Sequence, residues 1–415
     1  MLGASLVVAL AACARGGSLS PAAPVLPAAQ PLTAGYQVIY SFGQFGKYDD
    51  GAHPVANLIS LGADFYGTTE FGGITNSACV DGCGTVFRIS PEGREQIIYR
   101  FKGGTDGDLP AAPLTDVNGT LYGTTAYGGT STACAGGCGT VFALSPDGRS
   151  YRTMFSFGGG ADGASPASVL TPMNGALYGT TLYGGIARPL CSTGCGTVFS
   201  IGLTGVQKVI YRFKGGKDGA NPVAGLLRYG SSLYGTAQYG GVPSGYCSTG
   251  CGTIFRITPA GFTTVHLFKY SPSSNDGAFP SANLIAVSGE LYGTTLSGGE
   301  FSDGTVFETS PATGAESVIH SFDSSDTIKD GVYPLAPLTF VSGELYGTTR
   351  NGGTTNAGTV FEIATSGAES VLHDFIGKPD GATPQAGLIL SGGALYGTTV
   401  GGGAHSLGSV FRLTP

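Results

Sequence analysis

One tripeptide, Tyr-Gly-Thr, recurs seven times in this chain of 415 residues and constrains the fold more than any other feature of the sequence. Each copy lies in the same order of elements: an Asp-Gly pair, an apolar run, a turn, the tripeptide, a Gly-Gly pair and further apolar runs. Short apolar runs separated by Gly, Pro and Asx turns predict a four-stranded antiparallel meander in every repeat. The seven tyrosines are 50 to 58 residues apart, at Tyr66, Tyr122, Tyr178, Tyr234, Tyr292, Tyr346 and Tyr396.

A single meander of this size buries too little apolar surface to be stable, so the repeats are expected to stack. Four-stranded repeats of roughly 40 to 55 residues are typical of the blades of a β-propeller. We therefore predict an all-β fold in which residues 36–415 form a seven-bladed β-propeller of four-stranded antiparallel blades. A lone strand at 36–42 precedes the first repeat, and the last repeat stops after its third strand at 408–413. The N-terminal strand is thus expected to complete the last blade and close the ring, with an open β-solenoid as the alternative.

The composition is consistent with a β-rich core and excludes some partners. Glycine occupies 73 positions, which disfavours long helices, whereas 41% of the residues are hydrophobic and sufficient for a core. The chain has only 20 Lys and Arg residues and a net charge of −7, so it offers no basic stripe for phosphates. We expect no nucleic-acid partner and a monomeric protein.

The first residues resemble the signal of a bacterial lipoprotein. An apolar stretch from Leu2 to Ala12 ends at Cys13, preceded by the small residues that lipidation and cleavage require. No Lys or Arg precedes this stretch, which departs from the usual pattern, and an ordinary cleaved signal peptide is the alternative. The resemblance implies that residues 1–13 direct export and that a lipid on Cys13 anchors the protein to the outer membrane or cell surface. Residues 14–35, rich in Ala, Pro, Gly and Ser, are expected to form a tether.

The other eight cysteines form four pairs, with the two members four positions apart. An even number of cysteines in an exported chain predicts disulfides, each of which would close a five-residue loop. Zinc binding is the alternative, but successive pairs are about 55 residues apart and have no histidine beside them. The pairs are Cys79 with Cys83, Cys134 with Cys138, Cys191 with Cys195, and Cys247 with Cys251.

The repeat unit resembles that of a family of secreted bacterial proteins, the choice-of-anchor GloVer-repeat proteins. The resemblance rests on the order Asp-Gly, Leu-Tyr-Gly-Thr-Thr, Gly-Gly and Gly-Thr-Val-Phe, as in residues 106–142, and covers nearly all of residues 36–415. It implies export and a membrane anchor. The anchor is usually C-terminal in the family, whereas Cys13 would take that role here. The resemblance implies no activity.

Every repeat has an aspartate followed by glycine, with a proline four residues after the aspartate. Each carboxylate either accepts hydrogen bonds within its own turn or joins a ring near the central channel that holds a cation such as calcium. Seven unpaired carboxylates would repel one another, so the turn interpretation is favoured and no cofactor is expected. The residues are Asp50, Asp106, Asp162, Asp218, Asp276, Asp330 and Asp380.

Differences between the repeats indicate where a ligand would bind. In a propeller, the loops between second and third strands share one face with the loops between blades, so the cysteine loops and the Asp-Gly loops are expected together. Just before Gly-Gly, the first four repeats have an aromatic residue, whereas the last three have Ser297, Asn351 and Gly401. These aromatic residues either bind a ligand or pack beneath their own loops. The candidate binding residues are Phe71, Tyr127, Tyr183, Tyr239, Tyr246 beside Cys247, and Arg350 after the sixth Tyr-Gly-Thr-Thr.

These features predict a non-catalytic module that binds a glycan or a protein partner on its cysteine-loop face. No catalytic motif is present in the sequence, and a structural role in the envelope is a further alternative. Propeller enzymes gather their catalytic residues from several blades, so a hydrolase or lyase acting on an extracellular polysaccharide remains the second interpretation. That function requires titratable side chains at the mouth of the channel. The five histidines, three of them expected in outer strands, are His53, His266, His320, His373 and His405.

Overall fold

Seven antiparallel sheets account for nearly all the strands in a computed structural model of the chain. The structure describes residues 35–46, 48–271, 273–325 and 330–415. The predicted signal with Cys13, and all of the predicted tether except Gly35, lie outside these residues. Within the described residues, no helix is long and apolar enough to cross a bilayer.

Each sheet has four main strands in the order of a meander, and we number the blades 1 to 7 by their Tyr-Gly-Thr tripeptides. The innermost strands are Ile59–Leu61, Thr115–Val117, Thr171–Met173, Leu227–Tyr229, Ile285–Val287, Thr339–Val341 and Ile389–Ser391. The second strands are Asp64–Thr69, Thr120–Thr125, Ala176–Thr181, Ser232–Ala237, Glu290–Gly298, Glu344–Thr349 and Ala394–Thr399. The third strands are Thr85–Ile89, Thr140–Leu144, Thr197–Gly202, Thr253–Thr258, Thr305–Thr309, Thr359–Ala364 and Ser409–Leu413. The outer strands are Glu95–Arg100, Tyr151–Ser156, Gln207–Arg212, Gly261–Leu267, Glu316–Ser321, Glu369–Asp374 and Tyr36–Ser41.

Short additional elements occur in the loops between blades and at the ends of second strands. A single turn of 3₁₀ helix spans Gly104–Asp106. Short strands at Gly277–Pro280, Gly331–Val332 and Gly381–Ala382 pair, respectively, with Glu290–Gly298, Asn351–Gly352 and Gly401–Gly402. They extend blades 5 to 7 on the face where blades 1 to 4 have their cysteine loops.

The N-terminal strand closes the ring, as predicted. Tyr36–Ser41 pairs antiparallel with Ser409–Leu413 and becomes the outer strand of blade 7. The segments that precede all seven inner strands surround one central cavity. The chain is therefore a seven-bladed β-propeller, and the solenoid alternative is wrong.

Phenylalanine pairs fill the space between neighbouring blades. The Phe that follows an outer strand makes an edge-to-face contact with the Phe in the third strand of the next blade. Phe101 and Phe142, for example, have ring centroids 5.2 Å apart. The closing strand makes the same contact through Phe42 and Phe87. Equivalent Phe pairs are buried at all seven junctions, six of them edge to face and one, Phe322 with Phe361, at an interplanar angle of 59°, so these residues pack neighbouring blades together.

The Thr residues of the repeat join the second strand to the third. The hydroxyl of Thr69, at the end of the second strand, lies 2.8 Å from that of Thr85, at the start of the third. Blades 2, 3, 5, 6 and 7 have an equivalent hydroxyl pair, whereas Ala237 replaces the first partner in blade 4. The following Gly-Gly requires glycine: Gly72 has a φ of +87°, and a Cβ there would lie 2.5 Å from Gly51 Cα.

All four cysteine pairs form disulfides, as predicted, and the zinc alternative is wrong. Closing a loop of five residues contributes about 2 kcal/mol in the chain-entropy treatment. Because disulfides form and persist in oxidising compartments, the four bonds indicate an exported protein. The bonds join Cys79 to Cys83, Cys134 to Cys138, Cys191 to Cys195, and Cys247 to Cys251.

Candidate functional site

The five predicted aromatic residues lie on consecutive blades at one face of the ring. In blades 1 to 4, the residue before Gly-Gly forms a backbone bridge with the residue after an Asp-Gly pair. Tyr127, Tyr183, Tyr239 and Tyr246 are 41%, 39%, 36% and 62% exposed, and Phe71 is partly buried. We refer to these residues as the aromatic arc: Phe71, Tyr127, Tyr183, Tyr239 and Tyr246.

Three tyrosines of the aromatic arc each pack against a neighbouring group. The Tyr127 ring stands over its own cysteine loop, where a Cβ on Gly136 would lie 3.5 Å from it. Tyr239 meets Phe279 of the next blade edge to face, with ring centroids 5.6 Å apart. Tyr246 meets Tyr270 in the same way at 5.7 Å. Part of each of these rings therefore packs against a neighbour, while the exposed part is accessible to a ligand.

The loops beneath the arc are tied both within and between blades. Each disulfide closes its own loop, and the carbonyl of the second cysteine accepts a backbone hydrogen bond from the next blade. The rings thus project from a scaffold with few free torsions, which reduces the entropy lost on binding. The four bonds run from Leu109 N to Cys83 O at 3.2 Å, and at 2.8 Å from Ser165 N to Cys138 O, from Asn221 N to Cys195 O and from Phe279 N to Cys251 O.

Arg350 is separated from the aromatic arc. It is exposed on blade 6, and its backbone N–H donates to Tyr333 O at 3.1 Å. The equivalent residues Glu70 in blade 1 and Gln238 in blade 4 line the central cavity. The structure therefore brings the aromatic candidates together on one arc and leaves Arg350 on the opposite part of the ring.

The central cavity has a volume of about 340 Å³ and a mostly neutral lining. Among the described residues that line it, Glu70 alone is titratable, beside amides such as Asn57 and Asn283. Burial raises the pKa of Glu70 to about 7. Hydrolysis of a glycoside normally uses two carboxyl groups, and the described lining residues provide one. The enzyme alternative thus stays a prediction from the sequence.

The aspartates of the Asp-Gly loops accept hydrogen bonds from nearby parts of the chain. Asp50 accepts hydrogen bonds from the backbone N–H groups of Gly43 and Gln44 and from the Tyr40 hydroxyl, the last at 2.6 Å. The carboxylates of Asp106, Asp162, Asp218, Asp276 and Asp380 likewise accept a backbone N–H of the preceding segment, and Asp330 accepts the N–H of Gly331. These contacts are those of the turn interpretation, and none of the seven is among the described residues lining the central cavity.

A second arrangement at these aspartates is not apparent from the sequence. At each junction between two blades, three residues lie together: a Tyr, Phe or His of one outer strand, the aspartate that follows it in the chain, and a residue at the start of the next outer strand. Two junctions bring together three metal-ligating side chains, whose nearest ligand atoms all lie within 4.8 Å of one another. We call them junction triads: His266/Asp276/Glu316 between blades 4 and 5, and His320/Asp330/Glu369 between blades 5 and 6. Aligning the outer strands would have placed the histidines at one position, but each glutamate lies on the outer strand of the next blade.

The repeat, the ring and its loops agree with one family of sequences. The sequence profile of the Gloeobacter/Verrucomicrobia repeat matches residues 15–189, 133–339 and 327–415. The chain belongs to this family. Membership in the Gloeobacter/Verrucomicrobia repeat family confirms the resemblance inferred from the repeat unit. Curated proteins yield no match.

Two solved structures resemble this member of the Gloeobacter/Verrucomicrobia repeat family at low sequence identity. The extracellular domain of a protein described as a one-component system from B. thetaiotaomicron has a TM-score of 0.56 and 10% identity, over 91% of this chain and 39% of the other. A protein described as a 6-phosphogluconolactonase from Bacteroides fragilis has a TM-score of 0.49 and 18% identity, over 81% of this chain and 87% of the other. At these identities the likeness concerns the fold alone.

Proposed function

We propose that this exported propeller is a non-catalytic binding module that holds a glycan chain on its aromatic arc. The single observation behind the proposal is the set of three half-exposed tyrosines at the same position of three consecutive blades, Tyr127, Tyr183 and Tyr239. Identical rings at regular steps match a ligand that is itself a repeat, such as a polysaccharide. We further propose that a lipid on Cys13 holds the ring at the outer membrane or cell surface.

The chemistry of tyrosine suits this role. A Tyr side chain offers a large apolar face and a polar hydroxyl while losing only two torsions on binding. The contrast between the two parts of the ring supports the assignment, because blades 5 to 7 have Ser297, Asn351 and Gly401 at the equivalent position. These blades also lack the cysteine pairs that stiffen the arc loops.

A glycan and polysaccharide array, probed with the full chain purified with its disulfides intact, tests the proposal. The variant Tyr127→Ala/Tyr183→Ala/Tyr239→Ala is expected to bind on the order of 100-fold more weakly, since each interface Tyr contributes about 1 kcal/mol or more. The matched control Ser297→Ala/Asn351→Ala changes the same position in blades without the aromatic residue and is expected to bind like the wild type. A folded, oxidised wild type that binds no glycan contradicts the proposal, as does undiminished binding by the triple variant.

A further inference from the structure

At the junction between blades 4 and 5, three polar atoms face one another without a hydrogen bond. His266 Nε2, Asp276 Oδ1 and Glu316 Oε1 are shielded from solvent, and none of them makes a hydrogen bond. His266 Nε2 lies 3.8 Å from Asp276 Oδ1, which is too far for a hydrogen bond. Buried polar groups normally form hydrogen bonds, so three atoms that lack one and lie around one space indicate a missing group.

The histidine is oriented as a metal ligand would be. His266 Nδ1 lies 3.2 Å from the carbonyl oxygen of Gly314 in blade 5. A carbonyl only accepts, so Nδ1 must bear the hydrogen and donate it. In the neutral ring, Nε2 then presents its lone pair to the two carboxylates. Metal-binding histidines are typically fixed in this way, by a hydrogen bond from the other ring nitrogen to a backbone carbonyl or carboxylate.

With Nε2 unprotonated, three acceptors face one another, so either a proton or a cation is needed between them. A metal ion would supply the positive charge without a proton. Zinc ligand bonds of about 2.0 to 2.2 Å place two ligand atoms roughly 3 to 4 Å apart, and the observed 3.8 Å falls within this range.

The next junction shows the same residue types in a closed form. His320 Nε2 lies 2.9 Å from Asp330 Oδ2, the distance of a direct hydrogen bond, and Glu369 lies beside them. In this triad the histidine and aspartate satisfy each other, so no space remains between them for an ion, although Glu369 Oε1 also lacks a hydrogen bond. The two junctions thus provide a candidate site and a matched control within one chain.

We propose that His266, Asp276 and Glu316 bind one divalent transition-metal ion of the zinc class at the junction between blades 4 and 5. One imidazole and two carboxylates are ligands that zinc accepts, with a water in the fourth position. The ion would join the outer strand of blade 4 to that of blade 5, the first blade without a disulfide. This site is independent of the aromatic arc and of any glycan bound there.

Titration of the full, oxidised chain with ZnCl₂ after treatment with a chelator tests the site. Calorimetry is expected to show one bound equivalent, Co²⁺ to give visible absorption bands of a protein-bound ion, and zinc to raise the unfolding temperature. His266→Tyr introduces the residue that blade 3 uses at this position, where the Tyr211 hydroxyl bonds Asp218 at 2.9 Å. Glu316→Gln introduces the amide found at the equivalent position of blade 3, Gln207. Both variants are therefore expected to fold and to bind zinc more than about 100-fold more weakly.

The control variant His320→Tyr changes the closed triad in the same way and is expected to retain the single equivalent. Absence of saturable binding by the wild type overturns the proposal and means that protons bridge the three side chains. Binding that survives in both His266→Tyr and Glu316→Gln, or that is lost only in His320→Tyr, also overturns it.

Discussion

The glycine of each Tyr-Gly-Thr lies beneath the phenylalanine ring of the adjacent third strand, and replacing it should destabilise the ring by a measurable amount. In blade 4, Gly235 is the direct cross-strand partner of Phe255. A Cβ at Gly235 would lie 2.5 Å from Phe255 Cζ and 2.9 Å from Leu226 Cδ2, closer than side-chain carbons approach in proteins. Phe255 is completely buried, so its ring must move within a packed core. Overpacking of this kind costs about 1 to 3 kcal/mol.

The backbone effect of replacing Gly235 partly offsets this loss of stability. It lies within a regular strand, where replacing glycine by alanine otherwise stabilises a protein by about 0.5 to 1 kcal/mol. The net loss expected for Gly235→Ala is therefore about 1 to 2 kcal/mol. Phe255→Leu removes the atom that the new methyl group meets, so the double variant should be about 1 to 2 kcal/mol more stable than the sum of the two single changes predicts.

Urea unfolding followed by circular dichroism and by tyrosine fluorescence measures these differences, since the chain has 20 tyrosines and no tryptophan. Gly160→Ala is the matched control because a Cβ there meets no atom within 4 Å, and it should be close to neutral. Additivity of Gly235→Ala and Phe255→Leu within about 0.5 kcal/mol would refute the steric explanation. A Gly235→Ala variant more stable than the wild type would refute it too.

Two further predictions concern the buried glutamate and the anchor. In chelator, burial and the charge of Asp276 raise the pKa of Glu316 in the folded protein to about 7, from an ordinary value of 4.5. Between these two pH values the folded state binds more protons than the unfolded state, so the free energy of unfolding falls as the pH rises. Above pH 7.5, Glu316→Gln should therefore be more stable than the wild type by up to about 3 kcal/mol. Urea unfolding should show this difference in stability decreasing towards pH 4.5, and a difference that does not depend on pH contradicts the prediction. Cys13→Ser should move the protein from the membrane fraction to the soluble fraction and abolish palmitate labelling, whereas retention in the membrane argues against a lipid anchor.

The fold was predictable because its determinants lie within one repeat or at its borders. Turn residues, alternation and the spacing of Tyr-Gly-Thr define four strands per blade, and the spare strand at Tyr36 predicts closure with the last blade. The disulfides were equally predictable, since each joins cysteines only four positions apart. Proximity in sequence is sufficient for these features, and repetition makes the pattern unambiguous.

The candidate sites depended more on the structure. The pattern identified the aromatic residues before Gly-Gly, but their exposure depends on how each ring packs against its own loop or the next blade, as Tyr239 does against Phe279. The two triads contain the same residue types at equivalent positions, so the sequence does not indicate that histidine and aspartate form a hydrogen bond in one triad and not in the other.

The number of blades, the order of their strands, the closing strand and the disulfide pairing can be read from the sequence, because they follow from the repeat and from contacts that are local within it. Tertiary packing alone brings His266 of blade 4 and the following loop residue Asp276 to Glu316 of blade 5, with the histidine and aspartate 3.8 Å apart and none of the three facing atoms hydrogen-bonded. That distance depends on how two twisted sheets pack against each other, and small differences in packing separate an open triad from a hydrogen-bonded one. A repeat pattern describes what neighbouring blades have in common, whereas the chemistry of this chain resides in how individual junctions differ.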